Sequence, residues 1–136
     1  MADEMQVARE LILEDDVAEV WPLLSTAEGW QQWLVDQADL DVADGAVGEV
    51  TDDGLTREVR IIEVDEQRSV TFQWWDCDDP SSASRVTIEV HPLRGGGSRM
   101  LILERPLAGA AMRATTARWE VRALLLALTR CTLARV

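Results

Sequence analysis

Along the segment SRMLILER, Met100, Ile102 and Glu104 recur at every second position, so on a strand they share one face. A carboxyl group surrounded by apolar side chains has its pKa raised by desolvation, and it can then serve as acid, base or ligand anchor. The competing reading is a structural ion pair with Arg9 or Arg105, because such pairs also perturb carboxylates. Arg60 and Asp76 are weaker candidates of the same kind.

Other chemistry-bearing residues offer less. His91 is the only histidine. It falls in the phase of Thr87 and Glu89, opposite Val86, Ile88 and Val90, which directs it to solvent, and no Ser or Cys stands nearby as a nucleophile. The acidic run Asp36, Asp39, Asp41, Asp44, Glu49, Asp52 and Asp53 suggests calcium only at first sight. Counted from Asp39, Ala43 occupies the fifth position and Asp44 the sixth, where the EF-hand needs an oxygen ligand and a glycine. Cys77 and Cys131 fit no metal spacing and read as reduced thiols. No metal and no cofactor are expected, and Glu104 alone stands as a catalytic candidate.

The elements that would position these residues follow from periodicity. MQVARELILE at 5–14 reads as a strand with Val7, Leu11 and Leu13 on one face. Asp16-Val17-Ala18-Glu19 has the capping-box pattern and opens a short helix through Trp21 and Leu24, which Pro22 should kink or shorten. Thr26 caps a second helix, TAEGWQQWL, with Trp30 and Trp33 near one stripe. A loop from Asp36 leads to a short strand near 46–51 and a tight turn at Asp53-Gly54. LTREVRIIEV, SVTFQWWD, SRVTIEVHPL and SRMLILER are then successive antiparallel strands, joined by DEQR, a Pro-Ser-Ser loop after Asp79, and Gly95-Gly96-Gly97. From Ala110 to about Ala134 an Ala/Leu/Arg-rich helix is predicted, with Met112, Thr116, Trp119, Ala123 and Leu126 on one stripe. In FQWWDC, Trp74 goes inward with Val70 and Phe72, and Trp75 outward with Thr71 and Gln73.

The 136 residues suit a single domain, 1–136, and the hydrophobic share of 47% is that of a folded protein. The net charge of −12 argues against a nucleic-acid partner, which needs a basic surface. Residues 1–93 carry 5 Arg against 23 Asp and Glu, whereas 94–136 carry 8 Arg against Glu104 and Glu120. There is no membrane-length apolar run and no basic-then-apolar leader, so a cytoplasmic location without membrane attachment is expected.

VAEVWPLLSTAEGWQQWL resembles the first helical pair of the START-like (SRPBCC) superfamily, in its bacterial branch similar to the activator of heat-shock-protein ATPase. Val20, Trp21 and Trp33, the Asp44-Gly45 turn, Val59 with Ile61, Phe72-Gln73-Trp74, Arg85-Val86-Thr87-Ile88, the GGGS turn at 95–98 and Trp119 carry the resemblance, from about Val7 to Leu128. It implies an α+β helix-grip fold: a curved antiparallel sheet wrapped around a long C-terminal helix, with two short helices after the first strand. Such folds commonly enclose an apolar cavity between sheet and helix, and the resemblance turns the phase of Glu104 toward it. Many relatives carry a histidine where this chain has Glu104, and Leu101 and Leu103 stand where threonines are usual.

The cavity lining implied is Trp33, Val59 and Ile61, then Phe72 and Trp74, then Val86 and Ile88. Met100, Ile102 and Glu104 continue it, with Met112 and Trp119 from the last helix. Three functions remain open: a binding protein for an apolar or aromatic small molecule, a cyclase- or hydrolase-like enzyme using Glu104 as acid/base, and a co-chaperone-like interaction module. Homodimerisation is a further expectation, because Trp75, Leu101 and Leu103 fall in the outward phase.

Overall fold

The computed structural model describes residues 7–107 of the chain. Strand β1 (Val7–Leu13) is followed by helices α1 (Val17–Ser25) and α2 (Ala27–Trp33). Six strands then succeed one another: β2 (Gln37–Asp39), β3 (Val47–Asp52), β4 (Leu55–Asp65), β5 (Ser69–Asp76), β6 (Asp79–Pro92) and β7 (Ser98–Pro106). They form one antiparallel sheet in the order β1-β7-β6-β5-β4-β3-β2. The helices therefore carry the chain from one edge strand to the other. The long helix predicted from Ala110, with Met112 and Trp119 on its stripe, lies outside the described residues.

Local signals fix the entry to this sheet. Glu19 accepts a hydrogen bond from the Asp16 amide at 3.1 Å, the reciprocal half of a capping box. The Asp16 carboxylate meanwhile accepts from the Gly97 amide at 2.9 Å, tying the helix start to the β6–β7 turn. Gly97 adopts φ 89°, and a Cβ there would stand 2.7 Å from the Leu13 carbonyl oxygen, so this crossing needs glycine. Thr26 caps α2 by accepting from the Gly29 amide at 2.8 Å. α1 runs through Pro22 and continues to Ser25, so the proline does not stop the helix at its own position.

Two expectations about the strands are corrected. The stretch after Asp36 is not loop alone, since Gln37–Asp39 pairs with β3 as a seventh strand. The Pro-Ser-Ser segment is part of β6, because the turn falls earlier, at Cys77-Asp78. There the β5–β6 register shifts between Trp74 and Asp76, and the Ser82 hydroxyl accepts the Asp76 amide at 2.8 Å in place of a ladder bond. β4 carries a second irregularity, at Ile61/Glu63. Ile62 is the extra residue, and it returns Val64 to the inner phase opposite Val70.

One face of the sheet is apolar. Val59 and Ile61, Val70, Phe72 and Trp74, Val86, Ile88 and Val90, and Met100 and Ile102 are all buried. Each large apolar side chain so removed from water contributes about 1.5–3 kcal/mol. α1 packs against this sheet over β5 and β6. α2 adds Trp30 and Trp33, whose indole N–H groups donate to the Leu24 and Leu23 carbonyls at 2.8 and 2.9 Å. The acidic run serves the turns: Asp36 accepts from the Asp53 amide at 2.7 Å and Asp44 from the Val64 amide at 2.6 Å.

Candidate functional site

The sheet register brings three polar groups together on the apolar face. Trp74 on β5 is paired with Ser84 on β6, and Val86, two residues further along β6, is paired with Glu104 on β7. The three side chains thus meet diagonally across adjacent strands. Oε2 of Glu104 accepts from the Ser84 hydroxyl at 2.6 Å and from the Trp74 indole N–H at 3.2 Å. The same indole lies 3.1 Å from the Ser84 oxygen, so its one proton is shared between two acceptors.

Oε1 of Glu104 is buried and has no hydrogen-bond partner among the described residues. The whole residue is only 1% exposed. Burial pushes the carboxyl pKa above its ordinary value, against the opposing pull of the Ser84 and Trp74 hydrogen bonds and of the Arg57 charge. Two donors converge on Oε2, so a proton on this group belongs on Oε1. Protonated, Glu104 offers a neutral O–H donor, and ionised, it is an acceptor at the same point.

An aromatic row leads up to this carboxyl. Trp30 and Phe72 have ring centroids 4.7 Å apart, and Phe72 meets Trp74 edge-on at 5.2 Å. The Arg57 guanidinium sits 4.9 Å over the Trp74 ring, and its Nε lies 3.2 Å from the Asp76 carboxylate. Asp76 therefore holds an arginine against Trp74 and takes no direct part in the Glu104 cluster.

A seven-stranded antiparallel sheet, two helices after its first strand and an apolar face ending in a buried polar cluster are the features to compare with known proteins. The family described as Activator of Hsp90 ATPase homolog 1-like protein matches residues 16–124. The chain belongs to that family. It is a START-like domain of the AHSA type. None of the curated proteins matches the sequence at a significant level.

Solved structures agree on the fold. The Aha1 dimer from Colwellia psychrerythraea superposes with a TM-score of 0.75 at 12% identity, over 90% of this chain and 92% of that one. CalU16 from Micromonospora echinospora gives 0.69 at 16% identity, over 91% and 73%. DynU16, a protein of the dynemicin biosynthetic locus, gives 0.72 at 15% identity over 93% of this chain, which spans 45% of that one.

Within this family member, nine of the sequence-predicted lining residues share the apolar face: Val59, Ile61, Phe72, Trp74, Val86, Ile88, Met100, Ile102 and Glu104. Trp33 is buried as well, but its N–H is bonded within the helical pair, and it is Trp30 that touches Phe72. Met112 and Trp119 lie outside the described residues. The structural-pair reading of Glu104 is corrected for Arg105, which is exposed on the opposite face, and the partners found are Ser84 and Trp74. Arg60 is exposed and likewise away from this face.

Ser84 and Arg57 were missed in the sequence. Extending the alternation back from Ile88 and Val86 would have placed Ser84 inward, but it stood at the margin of an assumed loop. His91 is exposed, with Nε2 3.0 Å from Glu89. Trp75, Leu101 and Leu103 occupy the outer face, half-buried, and the Trp75 N–H donates to Glu58 at 3.0 Å.

Proposed function

We propose that this AHSA-type domain binds an apolar or aromatic small molecule against the inner face of the sheet, with Glu104 as the polar anchor. The observation that carries the reading is the half-satisfied carboxyl: Oε2 holds two donors while Oε1, buried, holds none among the described residues. Buried polar atoms are rarely left unpaired, and a ligand oxygen or nitrogen is one physical reason for such a vacancy. The row Trp30–Phe72–Trp74 supplies flat surface beside it. Similarity to a protein of the dynemicin biosynthetic locus is consistent with a small-molecule role.

Thermal melting of the full chain against a panel of aromatic and apolar metabolites tests this. A ligand at a hundred times its dissociation constant adds about 2.7 kcal/mol to stability. Such a ligand should raise the melting temperature of the wild type, quench Trp74 fluorescence, and lose affinity in Glu104→Ala. A panel in which hits are equally tight for Glu104→Ala would remove Glu104 as the anchor. Catalysis is the alternative for the same carboxyl, and turnover undiminished in Glu104→Gln would dispose of it.

A second reading concerns assembly. The likeness to the Aha1 dimer favours a homodimer or another protein partner, and outer-face Trp75, Leu101 and Leu103 are the residues offered for it. A monomer by light scattering at high concentration would discard the dimer.

A further inference from the structure

The outer face of the sheet carries chemistry that the inner cluster does not use. Register places Arg60, Gln73, Arg85 and Arg105 in one row across β4 to β7. The adjoining row is Glu63, Thr71, Thr87 and Leu103. Over β5 to β7 these rows enclose a concavity of about 390 Å3, lined by Thr71, Arg85, Thr87, Leu103, Glu104 and Arg105. Glu104 turns its side chain to the other face, so the groove presents two guanidinium groups, two hydroxyls and one leucine.

This arrangement is costly as it stands. Arg85 and Arg105 are direct cross-strand neighbours, and arginine is always charged. Like charges opposed in this way destabilise a sheet. Elsewhere arginines of this chain find carboxylates: Arg99 lies 3.2 Å from Glu10, and Arg57 3.2 Å from Asp76. Arg85 and Arg105 have no ion pair or hydrogen bond among the described residues, although the chain has 25 Asp and Glu against 13 Arg. The nearest outer-face acids stay at the margin. Glu63 is exposed opposite Thr71, Glu58 accepts from Trp75, and Glu89 faces His91. The Thr71 and Thr87 hydroxyl oxygens, 3.4 Å apart, complete a polar wall beside the two arginines.

We propose that this groove binds an oxyanion, a carboxylate or phosphate group carried by a small molecule. Arg85 and Arg105 grip it with their planar forks, and the Thr71 and Thr87 hydroxyls donate to the same group. Leu103, half-buried on the floor, takes apolar atoms of the ligand. The net charge of −12 opposes approach to an anionic lipid surface or nucleic acid, so a small anion is the occupant that the charge balance favours. The site is independent of the inner-face reading, because the two lie on opposite sides of the sheet.

The test uses the full chain and two probes, inorganic phosphate and benzoate, titrated at constant ionic strength against chloride and followed by amide NMR. Saturable shifts centred on Thr71, Arg85, Thr87 and Arg105 are expected with at least one probe. The Arg85→Gln/Arg105→Gln double variant should weaken binding by more than about ten- to a hundredfold, which is the loss expected for Arg105→Gln alone as one charged hydrogen-bonded contact. Absence of saturable shifts with both probes overturns the proposal, as does unchanged affinity in the double variant. Flotation with phosphatidylglycerol vesicles should leave the protein unbound, and co-flotation overturns the assignment to a small molecule. Should the double variant fail to fold, the wild-type titration and Arg105→Gln alone decide the question.

Discussion

Glu104→Gln isolates the ionisation of the buried carboxyl from its packing. The amide oxygen can accept the Ser84 and Trp74 bonds that Oε2 now accepts at 2.6 and 3.2 Å. The amide nitrogen takes the place of the protonated Oε1 and is no better paired than that oxygen was. The variant is therefore a mimic of the neutral acid, and what remains in the comparison is the pH dependence. The folded-state pKa is raised above its ordinary value of 4.5, mainly by burial. Between the two values the folded protein holds a proton that the unfolded chain has lost, so wild-type stability falls as pH rises through that window.

Each unit of separation costs the wild type about 1.4 kcal/mol at pH values above both. The variant has no such loss. Urea unfolding at a series of pH values should show the two proteins equally stable below pH 4.5, with Glu104→Gln pulling ahead as pH rises and the gap then constant. For a chain of this length each kcal/mol appears as about 3–5 °C in melting temperature. Other carboxylates titrate in both proteins and cancel in the difference. Of the described charges, Arg57 beyond Trp74 is the one that favours the ionised form, and it is present in both. A gap independent of pH between 4 and 8, or one that opens in favour of the wild type, would refute the desolvation argument.

Four further substitutions separate packing from surface effects. Trp74→Phe removes a buried donor shared by Ser84 and Glu104 and should cost about 1–3 kcal/mol, whereas Trp75→Phe loses a half-buried bond to Glu58 and should cost about 0.5–1.5 kcal/mol. Equal losses in urea unfolding would mean that the two indoles are not segregated by face. Gly29→Ala would place a Cβ 2.0 Å from the Pro22 carbonyl oxygen and 2.6 Å from the Leu23 Cα. Both are backbone atoms, so α1 and α2 must separate, with a loss of about 1–3 kcal/mol despite the better helix propensity of alanine. A melting temperature at or above that of the wild type would contradict this crossing. Arg105→Gln in anion-free, low-salt buffer should gain about 0.2–1 kcal/mol by relieving repulsion from Arg85, with the gain shrinking as salt is added. A loss at low salt would show that the two charges are already neutralised.

Strand phase was legible in the sequence, while register was not. Val70, Phe72 and Trp74, or Val86 and Ile88, announce an inner face by alternation alone, and Glu104 follows from Met100 and Ile102. Which residue stands beside which across strands depends on turn placement and on extra residues. Ser84 already opened the strand read as SRVTIEVHPL, but only the earlier turn at Cys77-Asp78 sets the pairing that puts it opposite Trp74. One inserted residue, Ile62, set Glu63 rather than Val64 on the outer face. β2 was missed for a different reason: QAD has no apolar alternation, and its pairing is supplied by β3. The arginine row Arg60–Arg85–Arg105 crosses four strands and is invisible in a linear reading.

Glu104 and Arg105 are sequence neighbours of opposite charge that strand geometry keeps apart. Had either been displaced by one position they would share a face, where each could neutralise the other. Alternation instead sends the carboxyl into the apolar layer and the guanidinium toward Arg85. Both placements cost stability, one through desolvation and the other through repulsion, and neither contributes to the hydrophobic core that holds the fold. A chain with 25 acidic side chains could cover an arginine pair many times over, and a buried leucine at 104 would extend the row of Met100 and Ile102. A half-satisfied carboxyl and an arginine without an ion pair among the described residues, back to back through one strand, are therefore where selection for something other than stability is most economically sought.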